Sequence, residues 1–324
     1  MAVYFYMSDF SDAARNLAVD EYFLSSLGED DILLYLYINS NAVIIGKGQN
    51  AWKECDVGAM EKDSVQLVRR HTGGGAVYHD GGNLNFSFVA GEKNYDLDRQ
   101  TDVIIKTAAR FGIEAEKSGR NDLLTNGRKF SGNAFAVKNG IKAHHGTLLI
   151  STDLDRLTRY LNVSQKKIES KGIKSVRSRV CDLCEFSTEA NVPAFAEALE
   201  AEFQKQYGKA CKYSFDSAEL REIERLYKKH TSWEYVYGKT PAFDFKAEYR
   251  TSYGGVELLF RVKEGFIHGV TVYTDSLDVS LPAKLEKMLS GVRFTPEDVA
   301  SVLSQNENGP EFIALAEEIE KSAF

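Results

Sequence analysis

The sequence predicts an α+β fold: a large domain of mixed and antiparallel β-sheets flanked by helices, then a small α+β C-terminal domain. Asn126-Gly127 and Asn139-Gly140 join β-rich runs, and such dipeptides are strong hairpin signals. Amphipathic helical patterns, such as that of Val192–Tyr207, flank these central strands in sequence. Because 324 residues exceed what one hydrophobic core usually supports, we expect two domains, 1–245 and 246–324.

The first helix is predicted to begin near Ser11 or Asp12, either of which suits an N-cap. Asp20 and Glu21 fall on its polar side, where we expect them to be solvated. The apolar positions that define its buried face are Ala14, Leu17, Ala18, Tyr22, Phe23 and Leu24.

Two β-rich runs follow the first helix, Ile32–Ile38 and Ala42–Ile45. The turn-forming residues Asn39-Ser40-Asn41 lie between them, so the pattern predicts a hairpin. Asn50 then suits the N-cap of a helix through Met60.

A glycine-rich stretch follows a strand predicted at Val65–Val68. It opens with Arg69-Arg70 and continues through His71-Thr72 into Gly73-Gly74-Gly75. Each glycine costs about 1 kcal/mol of backbone entropy relative to alanine, so three in a row need a use. One use is to turn backbone N–H groups toward an anion, for which the arginines add charged donors. The stretch predicts an anion-binding loop, with a plain glycine turn as the alternative.

The centre of the chain alternates strands with turns. Leu84–Ala90 reads as a half-buried strand and Leu97–Phe111 as a helix. Arg128–Val137 follows the Asn126-Gly127 turn, and alternation places Lys129, Ser131 and Asn133 on one face and Phe130 and Ala134 on the other. Ile141–Ile150 completes the set and contains His144-His145.

The C-terminal half has helical, basic and β-rich segments. Ile168–Val180 is basic and is either a solvated loop or a flap that carries cations over an anionic ligand. Glu248–Phe260 and Phe266–Thr274 resemble strands, and a domain boundary is predicted near Lys246. Helices are predicted at Leu154–Leu161, Val192–Tyr207 and Ala218–His230, and from Pro282, Pro296 and Pro310.

Composition narrows the class of protein. The net charge of −7 disfavours binding to nucleic acid or to anionic membranes. Neither a cationic leader nor an apolar run of about 18 residues is found, so we expect a cytoplasmic protein without a membrane span. We also expect a monomer. Cys181 and Cys184 have the spacing of half a zinc site or a redox pair, but without a matching second pair we interpret them as inert thiols.

Taken together, these motifs resemble the lipoate–protein ligase A family in its two-domain form, with a biotin/lipoate-ligase-like fold. The resemblance runs in order over nearly the whole chain. It rests on Asn16–Ala18, Arg69–Asp80, Ser118–Asp122, Arg128–Ala134, His144–Thr147, Gly172–Arg179, Ser232-Trp233, Gly254–Glu257 and Thr274–Leu277.

The resemblance implies a two-step reaction. Lipoate and ATP first give lipoyl-AMP and pyrophosphate, with Mg²⁺ as the metal. The lipoyl group then passes to a lysine of an acceptor. The implied acceptors are the apo lipoyl domains of E2 subunits of 2-oxoacid dehydrogenases and the glycine-cleavage H protein.

The resemblance also implies roles for individual residues. Lys129 is the implied catalytic residue, and Mg²⁺ binds through the nucleotide with Asp122 as a candidate ligand. His79, His144 and His145 are interpreted as hydrogen-bonded scaffold, although His145 is also a candidate for lipoate. The residues implied to bind the adenylate are Arg70, Gly73, Gly74, Gly75, Ala76, Val77, Tyr78, Asn121, Asp122 and Lys129. Those implied to bind lipoate are Lys129, Arg70 and His145. The loop implied to cover the adenylate carries Lys171, Lys174, Arg177 and Arg179.

The sequence departs from the family at His71-Thr72, since family members commonly have Ser at the Thr72 position. Two alternatives stay open. One is an octanoyl or lipoyl transferase of the same superfamily, which needs an activated thiol such as Cys181 or Cys184. The other is a non-catalytic binder of lipoate or of lipoylated proteins.

Overall fold

The computed structural model describes residues 2–119, 121–162, 179–240, 242–274, 276, 280–305 and 309–321. The chain forms two compact units, Met1–Lys47 with Ser64–Thr231 and Gly48–Asp63 with Ser232–Phe324. The predicted α+β class is confirmed. The boundary expected near Lys246 differs from this division, because Lys246 lies inside a strand that is paired along its whole length. The roles given to the two domains stay predictions.

The first unit contains two sheets. In the larger sheet, β1 runs parallel to both neighbours and the other pairs are antiparallel. In the smaller, the central β3 runs parallel to β4 and antiparallel to β5. The larger sheet has the order β11 (Cys211–Lys212), β1 (Val3–Met7), β2 (Ile32–Ile38), β6 (Asn83–Gly91), β10 (Ile141–Leu149), β9 (Arg128–Lys138), β8 (Asp122–Thr125), β7 (Glu116–Ser118); the smaller has β4 (Gln66–Arg69), β3 (Ala42–Ile45), β5 (Val77–His79).

Helices cover both faces of the larger sheet. Its two faces each have their own apolar cluster, one with α4 and α6 and the other with α1 and α7. The helices are α1 (Ala13–Ser26), α2 (Ala51–Glu54), α3 (Val57–Lys62), α4 (Leu97–Arg110), α5 (Leu154–Tyr160), α6 (Val192–Tyr207), α7 (Ser217–Thr231), α8 (Trp233–Val236), α9 (Leu281–Leu289), α10 (Pro296–Leu303) and α11 (Pro310–Lys321). No helix in these described ranges has the length and apolar content needed to cross a membrane.

Because helices cover both faces of the sheet, the prediction that Leu84–Ala90 is half-buried is wrong. Every residue of β6 is buried, so the strand is not half-buried as its alternation suggests. Apolar Phe86 and Phe88 face α4 and α6, whereas polar Asn85 and Ser87 are buried on the other side, beneath α1. Polar residues on the face of a strand opposite the main apolar cluster can thus be buried.

The predicted hairpin of Ile32–Ile38 with Ala42–Ile45 is wrong, although both strands exist. β2 is paired with β1 on one side and β6 on the other, so it has no free edge for β3. Asn39, expected in the turn, is buried and contacts Asn16 (2.9 Å) and His79 (3.0 Å).

The expected solvation of Asp20 and Glu21 is also wrong, because both carboxylates are buried. α1 packs between the sheet and α7. Glu21 accepts hydrogen bonds from Lys229 (2.6 Å) and His230 (2.8 Å) of α7. Asp20 lies 2.7 Å from His145 of β10. A helix covered on two sides can bury carboxylates when both sides supply polar partners.

The second unit is an antiparallel sheet with helices. Its strands, in sheet order, are β12 (Phe243–Thr251), β13 (Gly254–Lys263) and β14 (Phe266–Thr274). The single strand predicted at Glu248–Phe260 is therefore two strands, broken before Gly254, whose φ of +132° suits glycine. The helix predicted from Asn50 to Met60 is likewise two helices, α2 and α3, and Trp52 of α2 packs on Phe243 and Phe294.

Gly91 is the position where an added methyl group should harm the fold most directly. A Cβ there would lie 1.7 Å from the carbonyl oxygen of Glu29, a backbone atom that cannot rotate away. We expect Gly91→Ala to lower the free energy of unfolding by about 1–3 kcal/mol, as overpacking does, in urea titrations. Gly81→Ala is the control, since its Cβ meets nothing within 4 Å. Equal stability of the two variants would contradict this prediction.

Candidate functional site

Arg70 forms hydrogen bonds to the backbone of the glycine loop, Gly73–Gly75. Its Nη2 donates to the carbonyls of Gly73 (2.6 Å) and Gly75 (2.8 Å), and its Nη1 to that of Ile44 (3.2 Å). The side chain is 8% exposed, and burial lowers the pKa of Arg70 to about 10. Even so, the guanidinium stays charged near neutrality. The structure therefore turns Arg70 toward loop carbonyls; its predicted contact with an adenylate stays a prediction.

The loop also passes very close to the strand end that carries Gly46. A Cβ on Gly46 would lie 2.3 Å from the carbonyl oxygen of Gly74, and Gly74 itself has a φ of +97°. Arg69 is fully buried and donates to the carbonyls of Gly46 (3.1 Å) and Lys47 (3.3 Å). These contacts explain the need for glycine at Gly46 and at Gly74, where a Cβ would also lie 2.7 Å from Nη2 of Arg70.

Ala76, Val77 and Tyr78 lead from the loop into β5. Tyr78 is fully buried, and its hydroxyl donates to Asn41 (3.1 Å) while its ring packs on Tyr160. The Tyr78 side chain therefore lies in the core.

Lys129 lies at the start of β9, opposite β8. Its Nζ is 2.7 Å from Oδ1 of Asp122, and each side chain is about one-third exposed, 34% and 37%. The lysine stem crosses Gly132, where a Cβ would lie 2.8 Å from Nζ. Asn121 is tied to Asn133 by a backbone hydrogen bond of 2.8 Å. The β8–β9 pair thus places Asp122 against Lys129, with Asn121 next to Asp122 in the chain; their shared role in one site stays a prediction.

The end of the basic segment meets the backbone of Lys129. The N–H of Lys129 donates to the carbonyl of Arg179 (2.8 Å), and the N–H of Cys181 donates to the carbonyl of Lys129 (3.0 Å). Arg179 is thus adjacent to the Lys129 strand. Lys171, Lys174 and Arg177 lie outside the described residues, so the covering loop stays a prediction.

The register of β10 relates Lys129 to His145. Gly132 pairs with Thr147 and Ala134 pairs with His145. Paired residues and residues two apart share a face of a sheet. The Lys129 amine, which lies over Gly132, is therefore on the same face as Thr147 and His145, and also as Ala134. The prediction that Lys129 and Ala134 lie on opposite faces is wrong, because the register between β8 and β9 shifts at Leu123 and Leu124, which breaks simple alternation.

His145 joins that face to the glycine loop. Its Nδ1 lies 2.7 Å from Oδ2 of Asp20, and its Nε2 lies 2.7 Å from Oγ1 of Thr72. Arg70 Nε donates to the same Thr72 oxygen (3.1 Å). Burial raises the pKa of Asp20, but His145 outweighs burial through the charge it carries when protonated and through its hydrogen bond, so that the pKa of Asp20 lies below its ordinary value. Sequence reasoning missed Asp20 as a member of this site.

The neighbouring histidines are neutral scaffold. Burial lowers the pKa of His71 to about 4, and its Nε2 lies 3.8 Å from Asp20. Burial also lowers the pKa values of His79 and His144 to about 3. Asp20, His71 and His145 offer ligand atoms within 4.8 Å of one another, and both ring nitrogens of His145 have protein partners, Asp20 and Thr72.

The two cysteines near Lys129 are not activated thiols. Cys181 is fully buried and its Sγ contacts the carbonyl of Arg128 (3.6 Å). Burial raises the pKa of Cys181 to about 11, and burial raises the pKa of Cys184 too. A nucleophilic cysteine needs the opposite shift, toward the thiolate.

Comparisons with known proteins identify the family of the chain. Residues 12–204 match the model of the lipoyl protein ligase A/B catalytic domain, and residues 240–323 match that of the bacterial lipoate protein ligase C-terminus. The chain is 37% identical, over 302 residues, to the lipoate-protein ligase A of Blochmanniella pennsylvanica, which covers 90% of this chain and 89% of the relative.

Solved structures give the same answer. The P. falciparum LipL1 complex with lipoate has a TM-score of 0.65 and 28% identity, covering 99% of this chain and 100% of that one. A lipoate-protein ligase A bound with ATP has a TM-score of 0.66 and 27% identity, covering 74% and 100%. The bipartite ligase of Thermoplasma acidophilum, described with its E2 lipoyl domain, has a TM-score of 0.66 and 30% identity, covering 74% and 97%. The resemblance inferred from the motifs is confirmed: the chain belongs to the lipoate–protein ligase family, a family of enzymes.

Proposed function

We propose that this chain joins lipoate to ATP, forming lipoyl-AMP and pyrophosphate, and then transfers the lipoyl group to a lysine of an acceptor protein. The observation that carries the proposal is one face of the large sheet, which carries both the Lys129 amine and His145, whose ring contacts Thr72 beside the glycine loop. Carboxylate and triphosphate repel each other, so their reaction needs fixed positive charge and N–H donors between them.

Lys129 is the residue to which we assign the central role. Its amine is a compact charge on a flexible stem, suited to both a phosphate and a carbonyl oxygen. Asp122 holds that amine at 2.7 Å until an anionic ligand competes for it. Asp122 also offers the hard oxygen that Mg²⁺ prefers. When bound through the nucleotide, Mg²⁺ would offset charge on the departing pyrophosphate.

The acceptors we propose are apo lipoyl domains of 2-oxoacid dehydrogenase E2 subunits and the glycine-cleavage H protein. The relative from T. acidophilum supports the first class, since its structure is described with an E2 lipoyl domain. We also infer a cytoplasmic protein, because all four cysteines of the sequence are free thiols, as in reducing compartments.

The proposal is tested with Lys129→Ala. Purified protein is incubated with ATP, Mg²⁺ and lipoate, and lipoyl-AMP is measured by mass spectrometry. We expect adenylate formation to fall by about 100-fold or more, as when a transition-state donor is removed. Lys142→Ala is the control, because Lys142 is also a sheet lysine with a carboxylate partner, Glu92 at 2.8 Å. Normal adenylate from Lys129→Ala would remove Lys129 from its role.

The cysteine-dependent alternative makes a different prediction. We expect pyrophosphate release by a Cys181→Ser, Cys184→Ser double variant to match that of the unaltered chain, because neither thiol is activated. Loss of both pyrophosphate release and acyl transfer in a folded double variant would favour the transferase. Lipoate binding without any adenylate would instead favour a binder.

Gly132 should matter because it lets the Lys129 stem pass. A methyl group at Gly132 would lie 2.8 Å from Nζ and 2.9 Å from Cε, so the amine must move. We expect Gly132→Ala to slow adenylate formation by about 10- to 100-fold, the effect of misplacing a reacting group by about 1 Å. Gly269→Ala is the control, since Gly269 is also a strand glycine and its Cβ would meet nothing within 4 Å. An unchanged rate for Gly132→Ala would contradict the prediction.

A further inference from the structure

A continuous chain of hydrogen bonds links α1 to the glycine loop. Asp20 contacts His145 (2.7 Å), His145 contacts Thr72 (2.7 Å), and Thr72 accepts from Nε of Arg70 (3.1 Å). Arg70 then donates to the carbonyls of Gly73 and Gly75. The chain joins a helix, a strand of the large sheet and the loop, three elements far apart in sequence.

The chemistry of the two ends, together with a neutral His145 ring, sets the direction of every bond. Arg70 can only donate, and ionised Asp20 can only accept. With a neutral ring, His145 donates from Nδ1 to Asp20, and its Nε2 is then an acceptor for the hydroxyl of Thr72. Thr72 donates to His145 and accepts from Arg70, so it is the one member that must do both through a single atom. Serine can replace it in this role, and valine cannot.

The chain is closed to solvent. Asp20 is 0%, Thr72 2%, His145 5% and Arg70 8% exposed. A buried donor or acceptor that loses its partner cannot turn to water, so its loss costs more than the bond itself contributes. The effect of a change at Asp20 must therefore reach Arg70 or be absorbed by local rearrangement.

Arg70 in turn determines where the loop N–H groups point. In a planar trans peptide the C=O and the N–H of the next residue point in opposite directions. Because the carbonyls of Gly73 and Gly75 face Arg70, the N–H groups of Gly74 and Ala76 point away from it. Those two N–H groups are thus directed to the opposite side of the loop from the guanidinium.

We propose that Asp20, His145 and Thr72 are positioning residues that hold Arg70, and through it the N–H groups of Gly74 and Ala76, in place for the phosphates of ATP. This inference rests on the proposed function for its ligand. It assigns these residues an effect on nucleotide binding without contact to the nucleotide.

Binding of ATP with Mg²⁺ to the full chain, measured by titration calorimetry without lipoate, tests the proposal. Thr72→Val, which keeps the shape but cannot donate, should raise the Kd for ATP by about tenfold, the worth of a buried hydrogen bond. Thr72→Ser should restore the Kd to within about twofold, because the hydroxyl returns. Asp20→Asn should weaken ATP binding too, because an amide can donate to Nδ1 and so favour the wrong tautomer of His145.

A double variant shows whether the residues act as one unit. With Thr72→Val and Asp20→Asn combined, the loss of affinity should be no greater than about that of the worse single variant, since the chain is already broken. Glu21→Gln is the matched control. Glu21 is the next residue of α1 and forms a similar buried pair with His230 (2.8 Å) that does not lead to the loop. It should lower the Tm while leaving the Kd for ATP unchanged.

An unchanged Kd in folded Thr72→Val, failure of Thr72→Ser to restore binding, or strictly additive losses in the double variant would overturn the inference. Should Thr72→Val not fold, Asp20→Asn and Thr72→Ser decide it by the same measurement. The proposed function is judged separately by lipoyl-AMP from the unaltered chain. A protein that binds ATP through this chain but makes no adenylate would refute the function and leave the inference standing.

Discussion

The shape of the glycine loop depends on one buried charge, the guanidinium of Arg70. A glycine-rich turn has too many accessible conformations to hold a fixed set of N–H groups unaided. Arg70 limits them, because a buried guanidinium must find acceptors and the loop carbonyls supply them. The absence of a Cβ on Gly46 permits the close approach of the loop, and Arg70 selects one conformation of the loop from those that its glycines allow. Neither residue type is sufficient alone.

Adjacent carboxylates in α1 show how one helix can serve the fold and the site at once. Asp20 and Glu21 are both buried, but successive helical residues point about 100° apart, as 3.6 residues per turn require. Glu21 therefore reaches Lys229 and His230 of α7, whereas Asp20 reaches His145 of the sheet. The apolar pattern of α1 hides this, since a charged pair in an amphipathic helix is usually solvated. Their partners lie 125 to 209 residues away, beyond any local pattern.

Features that depend on neighbouring residues can be predicted from the sequence, whereas features that depend on such remote partners cannot. Asp12 caps α1 and the Asn126-Gly127 and Asn139-Gly140 turns have the positive φ angles expected of them, because these depend on a few neighbouring residues. The pairing of β2 and the return of α2 to the second unit depend on remote partners and were missed. In the candidate site, residue type and order predict the anion-binding loop, and the family resemblance singles out Lys129. The core position of the Tyr78 side chain and the inward turn of Arg70 are set by contacts with other strands.

The two cations of the candidate site differ in how freely they can change partners. Arg70 is buried and bonded to backbone carbonyls, so moving it would leave several groups unpaired at a cost of about 1–3 kcal/mol each. Lys129 and Asp122 are each about one-third exposed, so solvent or a ligand can replace either partner, and separating them costs less than moving the buried Arg70. An anionic ligand can therefore take the lysine from Asp122 with little loss. Since the backbone of Lys129 is anchored on both sides, to Arg179 and Cys181, the exchange moves the side chain alone. A fixed cation that shapes the loop and an exchangeable cation beside it are what two repelling anions require, because the first keeps its geometry while the second moves to the developing charge.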